Sequence, residues 1–350
     1  DSSPHVPLHD PRGMGLETIR EGVALETREH GPATGAETLV VWGHGLCNSM
    51  GGEDIERLWD FWRCPDGDPF AETARVVRYH ARGHGLSSRA SSPDECTWEA
   101  LGDDMLALAR LKRGALPTPS KGDEASRGDG ISGTRAETVG ADFARARREK
   151  LVLGGASMGS ASAVFAAKRA RDEALSNRLK SNDDECYDDL DDDLAREIDG
   201  LVLVIVPTMR EARRARARQI ESAAARGFDA TAARRKPRPI FKDTPRANEP
   251  ATPLGVRADS FASVMRASAM SDFPDEETLR RTFSFGDADR SASRGGKTRV
   301  LVLCWDCGDA THPASSAAAL RAAIPHAHVE IATSLEQVGT WGETIRGFIR

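Results

Sequence analysis

The stretch that decides the fold is residues 150–167, KLVLGGASMGSASAVFAA. Residues 151–153, LVL, are a short apolar run of the kind that a parallel sheet buries. Residues 155–159 form a G-x-S-x-G pattern with Ser157 at its centre, and small and helix-forming residues follow over 160–171. The pattern predicts a buried strand, a sharp turn with a serine at its apex, and a helix.

A serine in this position suits nucleophilic chemistry. On a strained strand-to-helix turn the hydroxyl is held above the first turn of the helix, and small neighbours let strand and helix approach closely. The free N–H groups and the dipole of that helix end favour an oxyanion formed after attack. Ser157 is therefore a candidate nucleophile. The alternative is an ordinary glycine-rich turn, because the motif alone is common in a chain rich in Gly and Ser.

Composition limits the possible classes of protein. A chain of 350 residues suits one large α/β domain with insertions, or two small domains. The net charge of −6 gives no support for bulk binding of nucleic acid. No apolar run approaches the roughly 20 residues that span a membrane, so we expect a soluble protein without a membrane span.

The six cysteines are scattered and do not form the spacing of a disulfide framework. Cys304 and Cys307 make a C-x-x-C pattern, but it follows an apolar strand and no second cysteine pair completes a zinc site. We interpret them as two thiols at a strand end. A reducing compartment, cytoplasmic or organellar, is the expectation; the sequence does not specify which.

Apolar strand-like runs alternate with helix-like stretches along most of the chain. Such alternation indicates βαβ units, and hence a mostly parallel sheet with helices on both faces. The predicted strands after a hairpin at 17–30 are 37–42, 74–79, 151–153, 200–206, 298–303 and 329–331. A single closing helix is predicted over 335–349.

Several segments stand outside this alternation. Residues 1–16 are expected to be a flexible lead-in to one domain over 17–350. Residues 114–146 are a polar insert expected to be disordered. The acidic insert 178–196 has no register with both the glycine and the glutamate of a calcium loop, so it predicts no metal site. Residues 208–292 lie between two sheet strands and are helical in pattern, which predicts a cap.

Four turns together resemble those of the α/β-hydrolase fold family. HGL at 44–46 resembles the turn after the third strand, and YHARGHGLS at 79–87 resembles the family's YDARGHGxS turn after the fourth, with His80 replacing the usual Asp. The G-x-S-x-G turn follows the fifth strand, and GDATHP at 308–313 resembles the turn after the seventh. The first half is most similar to the esterase, lactonase and haloperoxidase-like branch.

The resemblance implies roles for particular residues. Ser157 is the expected nucleophile and Asp309 the expected acid, in the chain order of this fold. The backbone N–H groups of Leu46 and Met158 are the expected oxyanion hole. No cofactor and no metal are expected.

The histidine departs from the family pattern. The family places it after the eighth strand, but residues 333–341 contain none, and His326 and His328 precede that strand. His312 is the best substitute, because the turns after the seventh and eighth strands are neighbours, with Asp309 or Asp306 orienting its ring. The alternative is that His312 only packs against or caps the following helix.

Four further side chains lie in or beside these turns. His44 and His84 are expected to brace their turns by hydrogen bonds. His80 points either into the core or into the pocket, and Trp305 either lines the pocket or is a buried structural residue.

Three functions remain open from the sequence. The first is a serine hydrolase that cleaves a small ester or lactone through an acyl-enzyme on Ser157. The second is a non-catalytic binding protein of the same fold that has lost the usual C-terminal histidine. The third is an interaction protein that uses the acidic insert and the arginine-rich segment 209–218, although both could be solvated surface.

Overall fold

An eight-stranded sheet organises the chain. The computed structural model describes residues 14–64, 67–114, 149–181, 197–283 and 298–350. The strands are β1 Met14–Arg20, β2 Val23–His30, β3 Thr38–Gly43, β4 Ala74–Tyr79, β5 Lys150–Ala156, β6 Gly200–Val204, β7 Arg299–Trp305 and β8 His328–Ala332. Their order in the sheet is β1-β2-β4-β3-β5-β6-β7-β8.

Most of the sheet is parallel. Strands β1 and β2 form an antiparallel hairpin, and β2 pairs antiparallel with β4. All later pairs, from β3 with β4 to β7 with β8, are parallel. Parallel strands covered on both faces read as continuous apolar runs, and β3, β4 and β6 are buried along their whole length. The predicted mostly parallel sheet is confirmed.

The two faces of the sheet build two cores. Side chains alternate along each strand, so Leu39 and Val41 of β3 enter one apolar cluster while Val40 and Trp42 enter the other. The first cluster packs against the long helices that follow β4 and β5. The second packs against the last helix of the chain and the aromatic residues of 58–70. Helices therefore flank the sheet on both sides, as predicted.

Helices lie between successive strands from β3 to β8, and two more follow β8. In chain order they are α1 Met50–Glu56, α2 Phe70–Thr73, α3 Trp98–Gly114, α4 Met158–Ser181, α5 Arg210–Arg226, α6 Phe228–Ala232, α7 Phe261–Met270, α8 Glu276–Phe283, α9 Ala314–Ala323, α10 Leu335–Gly339 and α11 Trp341–Ile349. Helices α5 to α8 all lie between β6 and β7, the segment in which the sequence predicts a cap.

The expected lead-in and the two expected inserts each begin or end differently in the structure. Strand β1 begins at Met14, inside the expected lead-in, because Met14 pairs with Arg28 of β2. Helix α3 includes Gly114 and helix α4 runs to Ser181, so each enters the start of an expected insert. The remaining parts of these three segments lie outside the described residues: 1–13 of the lead-in, 115–146 of the polar insert and 182–196 of the acidic insert.

The single closing helix predicted over 335–349 is wrong. Helix α10 ends at Gly339, a residue of low helix propensity, and α11 starts at Trp341. The break turns the chain so that the buried indole of Trp341 stacks on that of Trp305, with ring centroids 6.2 Å apart.

Candidate active site

Ser157 lies on a tight turn between β5 and α4. Its φ of 53° places a non-glycine residue in the left-handed region, which costs energy unless the surrounding structure holds it. Its N–H donates to the carbonyl oxygen of Val204 in β6 at 2.9 Å, and its own carbonyl accepts the N–H of Ala161 at 3.1 Å. The backbone is therefore fixed from both sides, and the hydroxyl is held at the carboxyl end of the sheet.

The two glycines of the motif are required by close packing. A Cβ on Gly155 would lie 2.3 Å from the carbonyl oxygen of Gly43, and a Cβ on Gly159 would lie 2.0 Å from the same atom. Both distances are shorter than any real carbon–oxygen contact. The end of β3, the end of β5 and the start of α4 thus meet at a point where no side chain fits.

Three side chains form a continuous hydrogen-bonded chain. Ser157 Oγ lies 2.8 Å from His312 Nε2, and His312 Nδ1 lies 2.7 Å from Asp309 Oδ2. His312 and Asp309 share the turn between β7 and α9, in which the N–H of His312 donates to the carbonyl oxygen of Asp309 at 3.2 Å. The structure therefore brings the three residues singled out by the sequence together, although the histidine comes from the turn after β7.

Hydrogen bonds hold Asp309 as a carboxylate. Burial by itself raises the pKa of Asp309, but the hydrogen bond and charge of His312 and two further donors outweigh it, so the pKa lies well below its usual range. The further donors are the backbone N–H of Thr311, at 2.8 Å from Oδ1, and the indole N–H of Trp305, at 3.2 Å from Oδ2. Asp306, the other aspartate considered, is not among these contacts.

The imidazole of His312 is held neutral and in one tautomer. Burial lowers its pKa, the hydrogen bond and charge of Asp309 raise it, and the positive charges of Arg238 and Arg216 lower it further, with a net shift below its ordinary value. Because the Asp309 carboxylate only accepts hydrogen bonds, Nδ1 carries the proton and Nε2 is free to accept the Ser157 O–H.

The two residues expected to form the oxyanion hole, Leu46 and Met158, lie beside Ser157 and His312. Met158 is the first residue of α4, so its N–H has no partner within the helix. Leu46 follows the HG turn after β3, where a Cβ on Gly45 would lie 3.5 Å from Ser157 Cβ. Within the described residues, neither N–H donates to a protein acceptor.

A small pocket of about 110 Å³ opens at Ser157 and His312. It is bounded by the turns after β3, β5, β6 and β7, by Trp98 at the start of α3, and by residues of the segment between β6 and β7. The lining residues are Gly45, Leu46, Trp98, Ser157, Met158, Pro207, Arg213, Arg216, Ile220, Arg238, Ser268, Thr311 and His312. Trp305 is buried and does not line the pocket; its contact with the site is the hydrogen bond to Asp309.

The sequence reasoning missed three arginines in this pocket: Arg213, Arg216 and Arg238. Two of them belong to the arginine-rich segment that the sequence assigned to solvated surface or to a partner interface. Helical periodicity was the available signal, because Arg213, Arg216 and Ile220 lie on one face of α5. Which face of the helix meets the pocket cannot be read from the sequence.

The histidines of the other turns brace the loops. Ala81 N–H donates to His44 Nε2 at 3.1 Å, and His44 Nδ1 donates to the carbonyl oxygen of Gly45 at 2.8 Å. His84 Nδ1 donates to the carbonyl oxygen of Arg82 at 3.1 Å. The bracing expected for both residues is therefore what the structure has.

His80, which replaces an aspartate of the family pattern, points away from the pocket. Its Nε2 accepts the N–H of Met50 at 3.1 Å, and its Nδ1 donates to Glu26 Oε2 at 2.7 Å. The same carboxylate oxygen accepts the N–H of Leu86 at 2.7 Å. A carboxylate from β2 thus ties this turn together beside the histidine.

The two remaining histidines considered, His326 and His328, lie away from the site. His328 is at the start of β8, so it lies at the amino end of the parallel strands, whereas Ser157 lies at their carboxyl end. His326 forms a hydrogen bond with the carbonyl oxygen of Thr298. Cys304 and Cys307 are free thiols, and burial raises the pKa of Cys304 to about 12. In the described ranges, no group of three or more His, Cys, Asp or Glu side chains is placed to hold a metal ion. None of the described helices is long and apolar enough to cross a membrane.

The fold agrees with known structures, and the chain has the α/β-hydrolase fold. A hydrolase from Pseudomonas aeruginosa PA01 is 18% identical over 95% of this chain and 96% of its own, with a TM-score of 0.55. A carboxylesterase of the thaumarchaeon Nitrososphaera gargenis is 14% identical over 95% and 97%, with a TM-score of 0.57. The enol-lactonase from Burkholderia xenovorans LB400 is 17% identical over 95% and 99%, with a TM-score of 0.52.

By sequence, the chain matches no protein-family model and no curated protein. The similarity to known proteins is therefore one of fold, and function has to be argued from the site.

Proposed function

We propose that this protein is a serine hydrolase that cleaves a small ester or lactone through an acyl-enzyme on Ser157. The observation that carries the proposal is the hydrogen-bonded chain from Ser157 Oγ through His312 to Asp309, with distances of 2.8 and 2.7 Å. A serine hydroxyl needs a base within hydrogen-bond reach, and the base needs a partner that fixes its tautomer. The α/β-hydrolase fold of the chain and its esterase and lactonase neighbours agree with this proposal.

The first half of the reaction forms the acyl-enzyme. Ser157 Oγ attacks the carbonyl carbon while its proton passes to His312 Nε2. The carbonyl oxygen becomes an oxyanion and accepts hydrogen bonds from the N–H groups of Leu46 and Met158, each worth about 3–4 kcal/mol in comparable sites. When the tetrahedral intermediate collapses, the C–O bond of the ester breaks and His312 returns the proton to the leaving alkoxide.

The second half regenerates the enzyme. A water molecule attacks the acyl carbon and gives its proton to His312 Nε2, and the Ser157 Oγ–C bond then breaks as Oγ takes that proton back. Asp309 stays ionised throughout and stabilises the imidazolium that forms in each half. In a lactone the leaving alkoxide remains attached to the acyl chain, so the product is a single hydroxy acid.

The rival function, a non-catalytic binding protein, depends on the absence of a histidine after the last strand. His312 places an imidazole on Ser157 from the preceding turn, which removes the argument for that function. We keep the hydrolase as the proposal and make the binding protein an outcome of the test below.

We further propose that residues 17–350 are one hydrolase domain and that 208–292 form its cap. In support, the described part of this segment supplies Arg213, Ile220 and Ser268 to the wall of the pocket opposite Ser157 and His312. The small volume of the pocket, about 110 Å³, favours a short acyl or lactone group.

The test is covalent labelling with a fluorophosphonate probe in the wild type, Ser157→Ala and His312→Ala, with circular dichroism to show that each is folded. Labelling lost in both variants supports the proposed nucleophile and base. Labelling lost only in Ser157→Ala keeps the hydrolase and moves the base elsewhere. A folded wild type that does not label contradicts the hydrolase and favours the binding protein.

A further inference from the structure

The pocket that contains Ser157 carries more positive charge than its surroundings neutralise. Arg213 and Arg216 project from the same face of α5, and both line the pocket with His312. A hydrolase for uncharged esters needs no arginine in this position. Buried guanidinium groups are costly to desolvate unless they are paired and hydrogen-bonded.

Arg213 is bonded only to neutral acceptors. Its Nε donates to the carbonyl oxygen of Ser271 at 2.9 Å, and its Nη2 donates to the carbonyl and hydroxyl oxygens of Ser268. Its guanidinium lies over the ring of Trp98, 4.3 Å from the centroid. In the described ranges no carboxylate lies within ion-pair distance of it, and burial lowers the pKa of Arg213 to about 10.

The guanidinium group of Arg216 makes fewer hydrogen bonds than that of Arg213. Its Nη1 donates to the side-chain oxygen of Gln219 at 2.6 Å, and its Nε is buried without a hydrogen-bond partner. No carboxylate among the described residues pairs with it. The negative charge of Asp309 acts on it, but His312 already engages that carboxylate. Burial lowers the pKa of Arg216 below its ordinary value.

The third arginine of the pocket, Arg238, differs from the other two because it has an ion-pair partner. Arg238 Nη2 forms an ion pair with Glu56 Oε2 at 2.8 Å, and this carboxylate is itself buried. Among the described residues, Arg238 therefore has an ion-paired carboxylate, whereas Arg213 and Arg216 have none. The charge of Asp272 acts on Arg213 without forming an ion pair with it. Two unpaired cations beside the proposed nucleophile are a built site for an anionic group.

This inference rests on the proposed function and names its substrate class. We propose that the substrate is a small ester or lactone bearing a carboxylate within a few atoms of the scissile carbonyl, and that Arg216 together with Arg213 binds that carboxylate. The small pocket sets the spacing, since the carboxylate and the reacting carbonyl share about 110 Å³. Arg213 also ties α5 to α7 through Ser268, so Arg216 is the better residue to change.

The experiment compares kcat/KM for charged and neutral substrates of equal size in a pH-stat at pH 7.5. Monoethyl succinate, with its carboxylate on the acyl side, is paired with its neutral amide, ethyl succinamate. A second arm places the carboxylate on the alcohol side, as 3-acetoxypropanoate paired with its amide. The wild type should prefer the charged member of at least one pair by about 10- to 100-fold, the range for a hydrogen bond to a charged group.

The variants assign that preference to one side chain. Arg216→Met should reduce the ratio of charged to neutral kcat/KM to near one, and Arg216→Lys should retain part of it, since a single ammonium replaces a two-pronged donor. Arg218→Met is the matched control, because Arg218 is exposed on the same helix and does not line the pocket, so its ratio should equal that of the wild type. Equal ratios in the wild type and Arg216→Met overturn the proposal.

A binding measurement separates this proposal from the hydrolase proposal. Calorimetric titration of Ser157→Ala with monoethyl succinate or 3-acetoxypropanoate should show binding that the amides lack and that a second change, Arg216→Met, removes. Such binding without turnover in the wild type supports the carboxylate site and contradicts the hydrolase. Turnover of charged and neutral esters at equal kcat/KM supports the hydrolase and overturns the carboxylate site, as does a Ser157→Ala protein that binds neither acid.

Discussion

Replacing Trp305 with phenylalanine removes one hydrogen-bond donor from Asp309 and leaves most of the ring packing in place. The indole N–H donates to Asp309 Oδ2 at 3.2 Å, and the side chain is 1% exposed, so water does not replace the lost donor. The carboxylate keeps its bonds to His312 and Thr311. The change therefore isolates what one donor contributes to holding a buried negative charge.

The size of the effect follows from the charge of the acceptor. A hydrogen bond to an ionised group contributes about 1.5–3 kcal/mol. Shrinking the ring adds a packing loss, which a second buried tryptophan can measure. Trp59 is 2% exposed and its indole N–H has no hydrogen-bond partner, so Trp59→Phe removes the same atoms without removing a hydrogen bond. Trp305→Phe should therefore lower the free energy of unfolding by about 1.5–3 kcal/mol more than Trp59→Phe.

Urea denaturation at pH 7 measures both variants, and its pH dependence identifies the group. The pKa of Asp309 is lowered in the folded state, so its ionised form adds stability above the unfolded pKa of about 3.9, and this stability is lost as the pH falls through the lower, folded value. The gap between the two variants should thus be full at pH 7 and shrink below about pH 4. A gap under about 0.5 kcal/mol at pH 7, or one independent of pH, refutes this account of the Asp309 site.

Two further predictions use the site and its packing. The pKa of His312 lies below its ordinary value, so kcat/KM for a neutral ester should fall only on the acid side of pH 6.5. Arg216→Met removes a positive charge that lowers this pKa, so it should move the fall in kcat/KM to higher pH. A pH–rate profile that is the same in the variant and the wild type contradicts this. Gly159→Ala should lower the free energy of unfolding by about 3 kcal/mol or more, because the new Cβ meets the Gly43 carbonyl oxygen at 2.0 Å. Gly339→Ala, with open space around the new Cβ, is the control and should change it by under about 1 kcal/mol in the same urea titration.

Local sequence was sufficient to place the strands and the turns at their ends. The apolar run and the small residues on either side of Ser157 specify strand, turn and helix within a few residues, and the structure has them there. The same holds for the turn that carries Asp309 and His312, which follows directly from β7. These features depend on neighbours in the chain, and periodicity and glycine placement record such neighbours directly.

Contacts between distant segments could not be predicted from the sequence. His80 stands where the family pattern has an aspartate, and the carboxylate that bonds it, Glu26, comes from another strand and 54 positions away. The break between α10 and α11 falls at Gly339, but the contact that it permits, Trp341 stacked on Trp305, joins two residues that no local pattern links. Both contacts depend on how distant segments pack.

The sequence by itself predicted the fold class, Ser157 as the candidate nucleophile, Asp309 as the expected acid and His312 as the best candidate for the base. Only the tertiary structure decided that His312 reaches Ser157 from the turn after β7, and that Arg213 and Arg216, of the five arginines in residues 210–218, line the pocket. The physical reason is that a helix pattern fixes which residues share a face, whereas packing against α7 and Trp98 fixes the direction in which that face points.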